Sequence, residues 1–180
     1  MTAGLADAIF QVIVGSLLLY LLLRPITAGA PYVPTFKGTL RKIIPFAGIR
    51  TDDVVYELGC GDGRFSVAAV RAGAARAVGY DVAGLMVFLS RVRSWFADTQ
   101  DRTRFLTGDI RKLDLGEATL VYLYLLPEIT ETLASGALRS LKPGARILAS
   151  SFAINTEKHP FRLLKQERFG SFKVYLYERE

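Results

Sequence analysis

Val54-Val55-Tyr56-Glu57-Leu58-Gly59-Cys60-Gly61-Asp62-Gly63-Arg64 reads as a buried strand ending in an acid, then a glycine-rich turn that opens a helix. Val54, Val55 and Tyr56 are strand formers. Glycines at alternate positions let the chain turn sharply and let a ligand approach the backbone with no Cβ in the way. Residues 65–72 then carry helix-forming content, with Val67, Ala68 and Val70 expected inward. The spacing is G-x-G-x-G, whereas a dinucleotide loop wants G-x-G-x-x-G, its third glycine allowing close helix–strand packing. Arg64 stands where that glycine would fall. Taken alone the stretch is equally a βα turn with no ligand, so its surroundings decide.

Downstream, residues 77–80 make a second strand closing on Asp81, 18 residues after Gly63. A carboxylate at the end of the second strand is placed to accept from both hydroxyls of a ribose, so an adenosine-bearing cofactor is expected. In residues 84–96, Leu85, Phe88, Leu89, Val92 and Phe96 recur at i, i+3, i+4, i+7 and i+11. That is the apolar stripe of an amphipathic helix, with Ser90, Arg91 and Arg93 on other faces. Residues 103–107 form a short strand before Gly108-Asp109-Ile110. There Asp109 would accept a hydrogen bond from an adenine amino group, with Ile110 against the ring, although Gly-Asp is also ordinary turn chemistry. Residues 120–125 are the continuous apolar run of a central parallel strand, and Pro127 falls in the first turn of the next helix. Leu141-Lys142-Pro143-Gly144 turns into a strand over 145–151, and residues 163–178 read as an antiparallel hairpin around Gly170. The order βαβαβαβαβ plus a hairpin gives an α/β fold, doubly wound and Rossmann-like. Such sheets bind ligands at the carboxyl ends of the strands, where chain order reverses. Glu57, the glycine loop, Asp81, Asp109 and Leu125-Leu126-Pro127 all fall on that edge.

Upstream, Thr35 is a candidate N-cap for a helix to Ile44, with Phe36, Leu40, Ile43 and Ile44 on one side and Pro45 stopping it. Tyr32-Val33-Pro34-Thr35 is either a linker or a wall of a substrate site. Residues 8–23 carry no charge, and Arg24-Pro25 ends the run. Extended back to Thr2, it makes about 30 Å of helix, roughly one hydrocarbon core. A cleaved signal peptide fits poorly, because no Lys or Arg opens it and Pro31 would follow the cleavage site. A buried core helix stays open, since Gln11, Gly15 and Ser16 dilute the run. A single membrane anchor is the preferred reading, and Arg24, Lys37, Arg41 and Lys42 behind it put the catalytic domain on the cytoplasmic side. The expected division is a transmembrane anchor over 1–24, a linker and substrate-side peptide over 25–35, and a catalytic domain over 36–180.

The 180 residues carry a formal net charge of +6, and Asp7 is the only charge ahead of Arg24. The rest of the chain therefore holds the whole positive excess, which suits lipid headgroups, nucleic acid or an acidic protein without choosing among them. One cysteine, Cys60, excludes an intramolecular disulfide, and inside the glycine loop it reads as a packing residue rather than a nucleophile. No Cys, His and carboxylate cluster has metal spacing, so no metal is expected. The single histidine, His159, beside Pro160, is a weak candidate for a base.

Glu57-x-Gly59-x-Gly61-x-Gly63 resembles motif I of the class I (seven-stranded) S-adenosylmethionine methyltransferases, and residues 32–152 resemble such a domain in motif order. Within that superfamily the chain is most similar to small protein-lysine methyltransferases, of the archaeal and the membrane-anchored mitochondrial types. Tyr32-Val33-Pro34-Thr35, Gly79-Tyr80-Asp81 and Leu89-Ser90-Arg91-Val92-Arg93-Ser94-Trp95 carry that likeness. Glu57 departs from it, where the family often shows Asp. The resemblance implies S-adenosyl-L-methionine held by Glu57 at its methionine end and Asp81 at its ribose, with Gly59, Cys60, Gly61, Gly63, Val82, Asp109 and Ile110 around it. It implies a methyl-transfer channel bordered by Tyr32, Pro34, Thr35, Leu125, Leu126 and Pro127. It further implies lysine methylation of a membrane or membrane-associated protein, with desolvation of the amine in place of a dedicated base. A lipid or other hydrophobic acceptor, and a non-catalytic cofactor-binding membrane module, stay as alternatives. No Asn/Asp-Pro-Pro-Tyr follows the fourth strand, which argues against nucleic-acid and glutamine acceptors.

Overall fold

The computed structural model describes residues 4–5, 7–16, 35–170 and 172–180. The chain divides into two compact units, Met1–Tyr32 and Val33–Glu180. In the first, residues 4–5 and 7–16 are helical. Among the described residues no helix is long and apolar enough to cross a membrane. The expectation of a single-pass membrane protein with its catalytic domain on the cytoplasmic side is corrected on that ground. The remainder of the expected anchor, 17–24, and the linker residues 25–34, Tyr32 and Pro34 among them, lie outside the described residues.

The second unit is built on strands β1 (Val54–Leu58), β2 (Arg76–Asp81), β3 (Thr103–Thr107), β4 (Leu120–Leu123), β5 (Arg146–Ser150), β6 (Phe161–Phe169) and β7 (Phe172–Arg179). They form one sheet in the order β3-β2-β1-β4-β5-β7-β6. The first five are parallel, and β7 runs antiparallel to both β5 and β6. Helices α1 (Lys37–Ala47), α2 (Arg64–Arg71), α3 (Gly84–Phe96) and α4 (Pro127–Ser135) cover it. The period-2 alternation of the central strands divides the core. Leu120 and Tyr122 of β4 and Leu148 of β5 join Ile43, Phe46, Phe65 and Val70 from α1 and α2. Val121, Leu123, Ile147 and Ala149 face the other way, onto Leu133 and Leu138. Burial on both faces explains the unbroken apolar run of β4, each buried Leu or Val contributing about 1.5–3 kcal/mol.

Three local expectations come out differently. The crossover from β3 to β4 holds a short 3-10 turn, Ile110–Lys112, and no helix; Gly108, Asp109, Asp114 and Gly116 fill a short connection with turn formers. Helix α1 begins after Phe36, with no side-chain cap, and runs through Pro45 to Ala47. Pro45 can make no N–H bond to the turn before it, and the helix stops two residues later, closing on Gly48 in the left-handed region with its N–H on the Pro45 carbonyl. Thr35 is no cap: its hydroxyl lies 3.4 Å from the Tyr122 hydroxyl. In α3 the apolar stripe faces outward, with Leu85, Phe88, Leu89 and Phe96 exposed, while Val87, Ser90 and Ser94 are buried.

Candidate active site

The strand order reverses between β1 and β4, and the connections leaving their carboxyl ends meet. A Cβ on Gly59 would come within 2.7 Å of the Leu125 side chain, and Gly59 has a φ of +76°, so the turn both requires glycine and seats the segment after β4. The loop is pinned to β2: Gly59 and Cys60 donate their N–H groups to the Tyr80 carbonyl at 2.8 and 2.9 Å. Gly61 donates to Asp81 Oδ2 at 2.9 Å, and Ala83 donates to Asp81 Oδ1 at 2.9 Å. Below, Gly63 (φ +70°) has no room for a Cβ, which would lie 2.7 Å from the Phe105 ring and 2.8 Å from Ser90 Cβ. This is why α3 turns a serine inward: the loop needs a small neighbour. Ser90 Oγ in turn donates to the Gly61 carbonyl at 2.7 Å.

Glu57 is buried beneath the first turn of α2. Its Oε2 accepts from Ser66 N at 2.9 Å and from Ser66 Oγ at 2.6 Å, capping a helix that has no side-chain cap of its own. Burial pushes its carboxyl up to about 8, against the two Ser66 bonds. Burial likewise raises the Cys60 thiol well above its usual range, consistent with a packing residue. Asp62, in the loop, is gripped by Arg64, whose Nε and Nη2 lie 2.8 and 2.7 Å from its two oxygens. Arg93 of α3 pairs with the same carboxylate and donates Nε to the Asp62 carbonyl at 2.9 Å. Burial works against that charge, yet the Arg64 and Arg93 bonds hold the carboxyl below the usual range.

Of the residues singled out in the sequence, Glu57, Gly59, Cys60, Gly61, Gly63, Asp81, Val82 and Leu125 gather around the ends of β1, β2 and β4. Leu126 and Pro127 open α4, and Leu126 is partly exposed. Ile110 is buried in the core. Asp109 is engaged by Arg111, accepting from its backbone N–H and from its guanidinium at 2.8 and 2.9 Å, so any adenine contact shares that carboxylate. His159 Nε2 is 2.8 Å from Glu131. Sequence reasoning gave no site role to Arg64, Arg93, Ser90 or Ser66. Spacing offered a signal for two of them, since Ser90 and Arg93 lie three apart and share a helix face.

The arrangement fits an adenosine-bearing cofactor. Asp81 spends one lone pair per oxygen on backbone N–H groups and keeps acceptor capacity for ribose hydroxyls. The family model described as "ANTKMT methyltransferase domain" matches residues 57–160. A protein-lysine N-methyltransferase of Saccharolobus islandicus is 32% identical over 154 residues, 82% of this chain and 92% of that protein. An adenine nucleotide translocase lysine N-methyltransferase of Mus musculus is 27% identical over 132 residues, 73% of this chain and 57% of that protein. A crystal structure described as an RNA methyltransferase from Salinibacter ruber with S-adenosyl-L-homocysteine superposes with a TM-score of 0.75 at 30% identity, covering 81% of this chain and 93% of that one.

Proposed function

The chain belongs to the ANTKMT methyltransferase-domain family and is an S-adenosyl-L-methionine-dependent methyltransferase, and we propose that it N-methylates lysine side chains of a protein, one that is membrane-borne or docks at a membrane. The observation that carries the reading is the meeting of the glycine loop, Asp81 and Leu125 at one sheet edge, in a chain similar to named lysine methyltransferases. Residues 36–180 would carry the reaction. Gly59, Cys60, Gly61, Gly63, Asp81, Val82, Asp109 and Ile110 would hold the cofactor, with Glu57 bracing the helix beside it. When bound, the cofactor supplies a methyl group already made electrophilic by a sulfonium. The chain's own part is alignment and desolvation. Thr35, Leu125, Leu126 and Pro127 would border the acceptor channel. A lysine of pKa about 10.4 costs roughly 4–5 kcal/mol to deprotonate at pH 7. The apolar Leu125 and Leu126 border lowers that cost by disfavouring the ammonium, and the proton leaves to water. Placement of the neutral amine in line with the methyl group does the rest.

The test is incorporation of labelled methyl from S-adenosylmethionine into extracts and membranes of the source organism, with Asp81→Ala as the control. Losing two charge-assisted hydrogen bonds of about 1.5–3 kcal/mol each, that variant should bind cofactor more than about 100-fold more weakly. A labelled protein band that maps to lysine and vanishes in the variant supports the reading. Label in the organic phase would transfer it to a lipid acceptor. Label in RNA would align the chain with the Salinibacter RNA methyltransferase instead. Cofactor binding with no label anywhere would leave a binding module.

A further inference from the structure

We propose that Arg64 is a positioning residue that fastens the acceptor-side peptide at Thr35 to the cofactor loop, so that the two are held as one body. This rests on reading Thr35 as part of the acceptor side. Arg64 stands where a dinucleotide loop has its third glycine, and its side chain turns back over the loop. Nε and Nη2 take the two oxygens of Asp62, at 2.8 and 2.7 Å. Nη1 donates to the Thr35 carbonyl at 2.6 Å. One planar guanidinium therefore spans both segments, a fork that an ammonium cannot reproduce.

Thr35 is buried, and its hydroxyl meets Tyr122 on β4. Tyr122 also accepts from Ser150 Oγ at 3.3 Å and stacks on Phe65, the residue after Arg64, with ring centroids 3.8 Å apart. The peptide is thus fixed to the sheet by its side chain and to the loop by its backbone. Arg93 supplies the internal control. It pairs with the same Asp62 carboxylate and the Asp62 carbonyl, and braces the loop from α3. Removing either arginine costs Asp62 a cation, and only the loss of Arg64 releases the Thr35 carbonyl.

The experiment compares Arg64→Gln, Arg64→Lys and Arg93→Gln in the full chain. The readouts are the Kd for S-adenosylhomocysteine, kcat and KM for the acceptor protein labelled above, and backbone hydrogen exchange over residues 35–40. Arg64→Gln should lose about 10- to 100-fold in kcat/KM for the acceptor, the scale of a 1 Å misplacement, with faster exchange over 35–40. Arg93→Gln should weaken S-adenosylhomocysteine binding to a similar degree without accelerating that exchange. Arg64→Lys should recover cofactor affinity more than acceptor turnover. Equal behaviour of the Arg64 and Arg93 variants in all three readouts would overturn the proposal and leave Arg64 a loop brace. If the wild-type chain methylates no acceptor, the proposed function fails, while the exchange comparison still decides whether Arg64 holds Thr35.

Discussion

Two aspartate–arginine clusters sit at opposite ends of the five parallel strands. At the amino ends of the strands, Arg146 Nη2 donates to both oxygens of Asp53 at 2.7 and 2.6 Å, and Nη1 donates to the Ala47 and Gly48 carbonyls at 3.0 and 2.8 Å. Thr119 Oγ1 and Arg50 N complete the Asp53 shell. These side chains are 5% and 1% exposed. At the carboxyl ends, Asp62 is 11% exposed, and its partners Arg64 and Arg93 are 23% and 39% exposed. The lower cluster is closed: it ties α1 to β1 and β5 and touches nothing that reacts. The upper one is half-open and ends on Thr35. The same pair of functional groups thus serves cohesion where water is excluded and site geometry where it is not.

The largest effect is expected at the lower cluster. Arg146→Ala strands a buried carboxylate and should cost about 3–5 kcal/mol in urea unfolding. Pairing Arg146→Met with Asp53→Leu should restore most of it, because two apolar groups leave no charge uncompensated. S-adenosylhomocysteine affinity, measured where the single variant is still folded, should not change. Next in size is Asp62→Asn. Solvent reaches this cluster, so the loss should be nearer 1–2 kcal/mol, accompanied by weaker cofactor binding. A larger stability loss at Asp62 than at Arg146, or cofactor binding that follows Arg146, would invert the comparison.

The two clusters also mark how far the sequence could be read. The glycine loop, Asp81 and the segment after β4 were legible because each is a local signal: a turn, a strand end, a proline in a first helical turn. Their meeting at the sheet edge followed from chain order alone. Asp53–Arg146 was not legible, since its members lie 93 residues apart and periodicity pairs no side chains across that distance. The stripe in α3 misled for a different reason. Leu85, Phe88, Leu89 and Phe96 make the better apolar period, yet Ser90 and Ser94 face inward: Gly63 sits too close to Ser90 for a larger residue, and Ser94 meets the Thr99 and Thr103 hydroxyls. A helix packed against a tight loop selects for small side chains before apolar ones. Arg64 was visible as a departure from a glycine fingerprint, but Thr35, its partner, comes from a segment whose position no local pattern encodes.

A titration, rather than a lost contact, sets these clusters against Glu57. Burial raises Asp53 as it does Asp62, yet Arg146 and the other bonds win and hold it below its ordinary 3.8. Stability from both aspartates is therefore present above about pH 4 and lost as pH falls through their lowered values. Glu57 has the opposite sign. Its carboxyl rises from 4.5 to about 8, so the folded chain holds a proton that the unfolded chain releases. Its contribution is fullest below pH 4.5 and is lost as pH rises to about 8. Glu57→Gln keeps an acceptor for Ser66 and removes the titration, so its Tm should be flat from pH 5 to 8, where the wild type should decline by about 10 °C. An unchanged slope would mean that another group titrates there. Titrating S-adenosylhomocysteine in buffers of different ionisation enthalpy then separates bracing from binding. If Glu57 remains on Ser66 alone, binding releases no proton and Glu57→Gln keeps its affinity. Proton release that disappears in Glu57→Gln would instead put the carboxylate on the cofactor's ammonium, and the residue beneath the loop would belong to the binding site as well as to the helix it caps.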